Sequence, residues 1–458
     1  MDAMTAEQEK AEMAQRGNRS SAGGPRWDLA FIAILGYVVV EYTRLPAMFP
    51  ILVPLELGKV VVGVALLGWL VSPRKLEGDR SAVWAIDAAL VLLLSAAFVS
   101  LLFAGHRDLA WSRYVDFLRW GLIYFLLGRI VTGSWRYRIF VLLLLLLNLK
   151  LAQHAIRYFY AARAYWGSEA VAVREGAKAG STGFFANSGD FGLAMCVVWP
   201  IAVMLLFAKA GKSLRLFLLA CSGVFLVAIL VCGSRGAVVG AACSVLAGIM
   251  MSRKKLAVIL MALLLLPGIV YILPGASKAR FQSALRPEGD RTATERMQLW
   301  RAGLMMFRDN PIVGVGIANF GPTRLEKYAQ PGDTTYGFVP HSIYIEVLSE
   351  LGLAGMIPFL ALVVLFFRLN ARSRKILLAL GDERRRSYEY CLSLGLDLAL
   401  IGYLTSGAFI AVFYYPHLWI LLGLSTGLYG ACCRIQQDAT KAEAVPADRT
   451  VPFQLVAI

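Results

Sequence analysis

The sequence predicts an all-α polytopic membrane protein, with about twelve transmembrane helices and one large loop outside the cytoplasm that contains an amphipathic helix. Hydrophobic residues make up 58% of the 458 positions, and the mean hydropathy is +0.63. Charged residues make up only 17%, against roughly 25% in soluble domains. A soluble protein with this much apolar surface would aggregate, so the composition excludes the soluble enzyme folds.

The spans are predicted from apolar runs long enough to cross about 30 Å of hydrocarbon, which takes roughly 20 helical residues. An even number of spans places both termini on the same side of the membrane. The twelve runs are 28–45, 50–71, 82–103, 113–132, 139–159, 185–208, 214–232, 236–251, 256–273, 343–367, 391–412 and 416–433. The predicted regions are a cytoplasmic tail (1–26), nine helices (27–273), an exported loop (274–340), three helices (341–434) and a second cytoplasmic tail (435–458).

The net charge of +16 comes from short basic clusters between the apolar runs. Such clusters mark cytoplasmic loops, and we therefore expect no nucleic-acid partner. The richest clusters, Arg253 to Lys255 and Arg368 to Arg386, fall on the cytoplasmic side if residues 1–26 are cytoplasmic. Those first residues lack the apolar core of a cleaved signal peptide. The seven cysteines lie in or beside apolar runs and show no disulfide framework or zinc spacing.

The exported loop 274–340 is predicted to contain an amphipathic helix. Thr292 and Glu295 have the spacing of a capping box. Apolar residues then recur at helical spacing with arginines between them, which indicates a helix lying on the membrane surface. The apolar residues are Met297, Trp300, Leu304 and Phe307.

Other polar features of the chain are weaker signals. The glycines of Pro311–Gly316 resemble half of a dinucleotide fingerprint, but Asn319 replaces the third glycine and no strand precedes them. Glu288 and Asp290 form a single acidic pair, fewer oxygen ligands than a hard cation needs, so no metal is predicted. Two pairs of opposite charges lie inside predicted spans, Glu56 with Lys59 and Asp116 with Arg119. We interpret each pair as two side chains that neutralise each other's charge. An ion or proton path is the alternative.

His341 is the strongest candidate for acid–base chemistry. It follows Pro340 and begins the tenth span on the exported side. The positive end of a helix dipole disfavours imidazolium, so this histidine should stay neutral, as a general base requires. The alternative is a hydrogen-bonded histidine at the membrane interface with no chemical role.

Arginines near the same face indicate an anionic ligand. Arg235 occupies a tight turn between two spans on the exported side, against the positive-inside trend, and its guanidinium suits a phosphate or diphosphate. Arg291 and Arg296 open the amphipathic helix, where free backbone N–H groups add to anion attraction. A snorkelling arginine or an ordinary solvated face is the alternative for each one alone. Together with His341 they predict a phosphate-bearing ligand and a hydroxyl that histidine deprotonates.

The order of these motifs resembles the O-antigen ligase and polymerase superfamily over residues 180–355. The motifs are Ser181-Thr182-Gly183-Phe184-Phe185-Ala186-Asn187, Ser234-Arg235-Gly236-Ala237, Arg296 four residues before Trp300, Pro311–Gly316 leading to Asn319-Phe320, and His341 followed by Glu350-Leu351-Gly352. Many members have Asn-Pro-Asn where this chain has Asn187-Ser188-Gly189-Asp190. The other spans agree with the superfamily only in number and hydrophobicity.

The resemblance implies a multi-pass protein of the bacterial inner membrane with its active site facing the periplasm and both termini cytoplasmic. Such an enzyme moves a glycan from undecaprenyl diphosphate to an acceptor hydroxyl with inversion, using no metal and no cofactor. His341 would be the base, and Arg235 and Arg296 would bind the diphosphate. Arg291, Asn187 and Glu350 are the further residues expected to contact substrate.

The favoured function is an O-antigen ligase, which joins an undecaprenyl-diphosphate-linked O-antigen donor to lipid A-core among the membrane lipids. The exported loop carries nine lysines and arginines against six acidic residues, which suits a phosphorylated acceptor. The nearest alternative is an O-antigen polymerase, and ligases that act on proteins share the same motifs. A lipid-linked glycan transporter would instead have related halves and substrate residues near the midplane.

Overall fold

The computed structural model describes residues 27–43, 49–71, 81–166, 187–253, 255–256, 259–260, 291–329 and 339–443. Across these ranges the regular elements are helices and no strand is present, so the all-α prediction is confirmed. The α-helices are α1 (Leu29–Thr43), α2 (Leu57–Val71), α3 (Ser81–Leu102), α4 (Arg107–Ile130), α5 (Ser134–Trp166), α6 (Ser188–Leu205), α7 (Lys212–Val231), α8 (Arg235–Met251), α9 (Arg291–Asp309), α10 (Ile343–Ala379), α11 (Tyr388–Gly407) and α12 (Pro416–Glu443). Short helical turns cover Pro50–Leu55, Phe320–Thr323, Arg324–Tyr328 and Asp382–Arg386.

Most of the predicted spans coincide with these helices. Within the described ranges, eight helical segments are long and apolar enough to cross a membrane, namely Pro50–Val71, Ser81–Leu102, Ser134–Ala161, Ser188–Leu205, Lys212–Val231, Ile343–Ala379, Tyr388–Gly407 and Pro416–Lys441. The helices α1 and α8 are apolar but shorter, and α4 has 24 residues with more charge. The chain is therefore a multi-pass membrane protein. The ninth predicted run, 256–273, lies almost wholly outside the described residues, so the count of twelve stays a prediction.

The ends of the helices gather at two opposite faces, as alternating spans require. At the first face, a Cβ built at Gly407 would lie 3.2 Å from Ile343, and His106 N donates to Asn319 Oδ1 at 2.7 Å. At the second face, Lys209 N donates to Arg386 O at 2.7 Å. Residues 106 and 319, from two loops predicted to be exported, thus share the first face, and Lys209 and Arg386, from two basic loops, share the second. Which face is periplasmic rests on the charge bias of the loops.

Residues 311–316 interlock with α10 in the middle of that helix. Gly352 has φ +59 and ψ −155, which interrupts the helix and exposes its backbone groups. Val315 N donates to Ser349 O at 2.8 Å and Leu353 N donates to Pro311 O at 2.9 Å. A side chain at Gly352 would collide with the carbonyl of Ile312, so only glycine allows this approach. The glycines that resembled a nucleotide fingerprint instead join the loop to α10.

Helix α9 lies across the start of α10. A Cβ at Gly303 would collide with Ile345, and Leu299, Ala302 and Met306 form a small buried core with Val315, Phe320 and Tyr328. The helix begins at Arg291, one residue before the predicted capping Thr292, so that threonine lies in the first turn. The predicted apolar stripe of α9 is partly exposed, because Met297 is 60% and Leu304 is 50% exposed. An apolar strip facing outward fits the predicted position on a membrane surface.

A buried polar network ties α10, α11 and α12 together near the second face. Arg374 donates to Asp397 Oδ2 at 2.6 Å and to Ser393 Oγ at 2.8 Å. Asn370 donates to Asp397 Oδ1 at 2.8 Å and accepts from Ser425 Oγ at 2.8 Å. Since Asp397 is only 2% exposed, these partners replace water for its charge. The charged pairs predicted from sequence also form, with Glu56 at 2.6 Å from Lys59 and Asp116 at 3.1 Å from Arg119.

Candidate functional site

Three helices, α6, α8 and α10, begin close together at the first face. Asn187 Oδ1 caps α6 by accepting from Gly189 N at 2.7 Å and Asp190 N at 3.1 Å. Ser234 Oγ caps α8 by accepting from Ala237 N at 3.3 Å, and a Cβ at Gly192 of α6 would lie 3.4 Å from Ser234. Each helix start also carries the positive end of a helix dipole. Their convergence makes this face attractive to an anion.

Residues 408–415, between α11 and α12, connect these helix starts. A Cβ at Gly236 of α8 would lie 3.2 Å from Phe409, and a Cβ at Gly189 of α6 would lie 3.1 Å from Ile410. Phe409 also meets Trp300 of α9, with ring centroids 6.5 Å apart. One aromatic side chain therefore touches both the turn that carries Arg235 and the helix that carries Arg296.

His341 lies beside the same part of α9. Trp300 Nε1 donates to Pro340 O at 3.0 Å, directly before His341. Burial lowers the pKa of His341 below its ordinary value, and the nearby Arg296 guanidinium lowers the pKa further. The imidazole is therefore neutral near pH 7 and close to Arg296, as a general base beside a bound anion should be.

The three residues predicted to be catalytic thus belong to elements that meet. Arg235 is the first residue of α8 and is partly buried, as are Arg296 and His341. Arg235 precedes Gly236, which contacts Phe409, and Arg296 lies one helical turn before Trp300, which contacts the same ring. Two guanidinium groups and a neutral imidazole at one helix-start face can bind a diphosphate and accept a proton.

The remaining predicted site residues have different positions. Asn187 is exposed, and its side-chain oxygen caps α6. Arg291 begins α9, but its side chain lies outside the described residues. Glu350 is only 4% exposed. Its carboxylate accepts from Ala318 N at 2.8 Å, from Phe320 N at 3.1 Å and from the Tyr414 hydroxyl. Glu350 therefore holds the loop 317–320 against α10, and a contact with substrate stays a prediction.

Several buried polar residues at this face were missed by the sequence analysis. Glu346, one helical turn before Glu350, accepts from Phe413 N at 3.1 Å. Asp190 accepts from the Tyr415 hydroxyl at 2.8 Å. Two carboxylates four residues apart in an apolar run were the available signal, because such groups are costly in a membrane unless they have partners. These residues hold the 408–415 segment against the starts of α6 and α10.

The acidic pair considered for a metal, Glu288 and Asp290, lies outside the described residues. The prediction of a metal-independent reaction therefore depends on the arginines. Arg235, at the start of α8, and Arg296, in the second turn of α9, are cationic groups of the kind that can bind a diphosphate without a divalent cation.

A family model described as O-antigen ligase matches residues 216–360. Over these residues the chain is similar to the O-antigen ligase and polymerase superfamily. The matched region runs from α7 to the first part of α10 and includes Arg235, Arg296, His341 and Glu350. Comparison with the curated proteins finds no match. The family consists of glycosyltransferase-type enzymes of the O-antigen pathway. Of the motif residues that the structure describes, Asn187 and Arg235 lie at the starts of α6 and α8, and His341 lies two residues before α10.

Proposed function

We propose that this protein is a lipopolysaccharide O-antigen ligase. It transfers O-antigen glycan from undecaprenyl diphosphate to a hydroxyl of the lipid A-core oligosaccharide. The proposal is supported by the contacts of Phe409 with both the start of α8, which carries Arg235, and Trp300 of α9, the helix that carries Arg296, and by a neutral His341 next to Arg296. Such a site has separate groups for a leaving diphosphate and for an incoming hydroxyl.

The arginines and helix starts act on the donor. Arg235 and Arg296 bind the diphosphate oxygens, and the N–H groups at the starts of α6 and α8 add to the positive potential. As the bond between the anomeric carbon and the diphosphate oxygen breaks, negative charge grows on that oxygen. Fixed positive groups stabilise this charge more in the transition state than in the bound donor, which speeds the reaction.

His341 acts on the acceptor. Its neutral imidazole takes the proton of the acceptor hydroxyl as the oxygen attacks the anomeric carbon from the face opposite the diphosphate. A new glycosidic bond forms, undecaprenyl diphosphate leaves, and the configuration at the anomeric carbon inverts. The imidazolium then releases its proton to water, which returns the enzyme to its starting state.

An O-antigen polymerase is the second candidate, since its donor chemistry is the same and its acceptor is another lipid-linked glycan. The loop 274–340 favours the ligase, because its nine basic and six acidic residues suit a phosphorylated acceptor. Within the described part of that loop, Arg301 and Arg308 lie on the outer side of α9 beside the exposed Leu304. They are placed to meet phosphate groups at a membrane surface.

Reconstitution tests this assignment. Purified protein is mixed with undecaprenyl-diphosphate glycan and lipid A-core, and the products are separated by size. The expected product is lipid A-core carrying glycan, formed equally well in excess chelator. Chain growth on the donor, with lipid A-core left unmodified, would assign the polymerase instead. Loss of transfer in chelator would show that a metal is needed.

Replacement of His341 tests the base in the same assay. His341→Ala should reduce turnover by about 10²- to 10⁴-fold, as expected when a general base is lost. His154→Ala, at an exposed position on α5, is the matched control and should retain full turnover. Appreciable turnover of the folded His341→Ala protein would remove this residue as the base.

We also propose that the site faces the periplasm from the bacterial inner membrane and that both termini are cytoplasmic. The proposal is supported by the basic loops at the second face, which carry Lys209, Lys212 and Arg384 to Arg386. A fluorescent protein that matures only in the cytoplasm, fused after residue 458, should fluoresce. A dark fusion with full-length protein present would reverse the orientation.

A further inference from the structure

The backbone at His341 adopts a conformation that few side chains accept. Its φ is +50, in the left-handed region, although the residue is not glycine. Such a conformation costs of the order of 1–3 kcal/mol and persists only where the surroundings impose it. The peptide bond between Pro340 and His341 must therefore be held by contacts from outside its own segment.

The hydrogen bond from Trp300 supplies one such contact. The Trp300 indole N–H reaches the Pro340 carbonyl at 3.0 Å, and that carbonyl belongs to the peptide that sets φ of His341. Since the φ of Pro340 is fixed by its ring, this peptide can turn only about ψ of Pro340 and φ of His341. A donor fixed to the carbonyl restricts that rotation.

The donor itself is well anchored. Trp300 is packed against Phe409, and α9 is fixed on α10 through the close approach of Gly303 to Ile345. The neighbouring Leu299 and Ala302 are buried in the small core beneath α9. Trp300 is therefore attached to a rigid element and can impose a conformation on the segment it touches.

We propose that Trp300 is a positioning residue that keeps His341 in its left-handed conformation beside Arg296. The catalytic consequence rests on the function proposed above. Arg296 precedes Trp300 by one helical turn, so the group that binds the donor diphosphate and the group that orients the base belong to one helix. Binding of the donor at Arg296 immobilises the same helix that holds His341 in place.

Two substitutions separate the hydrogen bond from the packing of the ring. Trp300→Phe keeps an aromatic ring against Phe409 and removes the N–H donor. Trp300→Gln removes the ring and keeps an N–H donor at the same number of bonds from Cβ. The readout is the rate at which diethyl pyrocarbonate modifies His341 in the full-length protein in lipid nanodiscs, measured by mass spectrometry with the partly exposed His106 as internal reference.

The expected result is a several-fold faster modification of His341 in Trp300→Phe and a rate near that of the parent protein in Trp300→Gln. Modification of His106 stays constant. Trp111→Phe, an exposed tryptophan on α4, is the matched control and leaves His341 unchanged. An unchanged rate in Trp300→Phe overturns the proposal, and so does acceleration in Trp300→Gln equal to or greater than that in Trp300→Phe.

Transfer kinetics provide the second readout. Loss of one hydrogen bond that orients the base should lower kcat about three- to tenfold in Trp300→Phe, while the Kd for the donor stays within twofold. If weaker donor binding accounts for the whole loss of transfer activity, Trp300 acts only by packing in the donor site. That result overturns the proposal. The modification assay does not depend on transfer. If His341→Ala retains turnover, the proposed function fails while the positional role of Trp300 is still measured.

Discussion

The two ends of α10 both carry buried polar side chains, but they use them differently. Near the second face, Asn370, Arg374, Asp397 and Ser425 hydrogen-bond with one another across three helices. Near the first face, Glu346 and Glu350 accept from backbone N–H groups of other segments, while Arg235, Arg296 and His341 are only partly buried. The polar side chains near the second face therefore connect helices to one another. Those near the first face fix loops, close to the elements that carry the two arginines and the histidine.

This difference shows how a mostly apolar bundle can contain both structural and chemical polar groups. In the Asp397 network the carboxylate receives hydrogen bonds from both Asn370 and Arg374, so its loss should destabilise the fold. At the first face the carboxylates perform the structural task, while the proposed function assigns the arginines and the histidine to substrate. Stability and turnover should therefore respond to different substitutions.

Removing the carboxylate of Asp397 should have the largest effect. Asp397→Ala leaves Arg374 as an uncompensated charge, which costs about 3–5 kcal/mol in a buried pair. The expected result is a large loss of thermal stability, with normal turnover per folded molecule. Asp397→Asn, which keeps an acceptor, should lose less. If turnover falls by more than the fraction of folded protein does, Asp397 also contributes to turnover. The division between a structural end and a chemical end of α10 would then be wrong.

Removing Arg235 should have the opposite effect. Arg235→Ala takes a positive group from the proposed diphosphate site, so turnover should fall by about 10²- to 10³-fold, as when one stabilising donor of a developing anion is lost. The unfolding temperature should stay unchanged. Arg301→Ala, on the outer side of α9, is the matched control. If Arg235→Ala loses as much stability as Asp397→Ala, Arg235 stabilises the fold and is not a residue reserved for the donor.

Substituting Gly352 tests the interlock between residues 311–316 and α10. The new Cβ of Gly352→Ala collides with the carbonyl of Ile312, so the loop must move away from α10, at a cost of about 1–3 kcal/mol. We expect faster tryptic cleavage after Arg301 and Arg308, together with lower turnover. Gly223→Ala, where a Cβ meets nothing within 4 Å, should change neither. Unchanged cleavage in Gly352→Ala would mean that the loop is held elsewhere.

The pH dependence should show the smallest change. Only neutral His341 is a base, and burial together with Arg296 lowers its pKa, so kcat/KM should fall on the acid side with an apparent pKa below the usual value of about 6.5. Arg296→Gln removes a positive charge that opposes protonation, so the apparent pKa should rise. Arg301→Gln should leave the profile unchanged. A downward shift in Arg296→Gln would contradict the placement of Arg296 beside His341.

Much of the helical framework could be predicted, because apolar runs of membrane length are a strong local signal. The helix ends were less accurate. The predicted run 343–367 continues as a helix to Ala379, since basic residues past the apolar part are good helix formers outside hydrocarbon. Helix α4 begins six residues before the predicted run, at Arg107. Hydropathy marks the apolar part of a helix and not its ends.

The candidate site was predicted in part. Arg235, Arg296 and His341 could be selected because charged residues are conspicuous beside apolar runs. Their relation to Phe409 and Trp300 depends on contacts between distant segments, which no local pattern records. The partners of the Glu350 carboxylate lie 30 to 64 positions away, so its part in holding the loop could not be inferred from the run that contains it.

The interlock at Gly352 also sets an order of assembly during synthesis. Residues 311–316 leave the ribosome before residues 349–354, and the backbone groups of each segment are satisfied by the other. Until α10 has entered the bilayer, the N–H and C=O groups of residues 311–316 therefore lack their hydrogen-bond partners in residues 349–354. Insertion of α10 thus supplies the hydrogen bonds that hold residues 311–316. In a chain truncated before residue 349 these bonds cannot form, even if the earlier helices have inserted correctly.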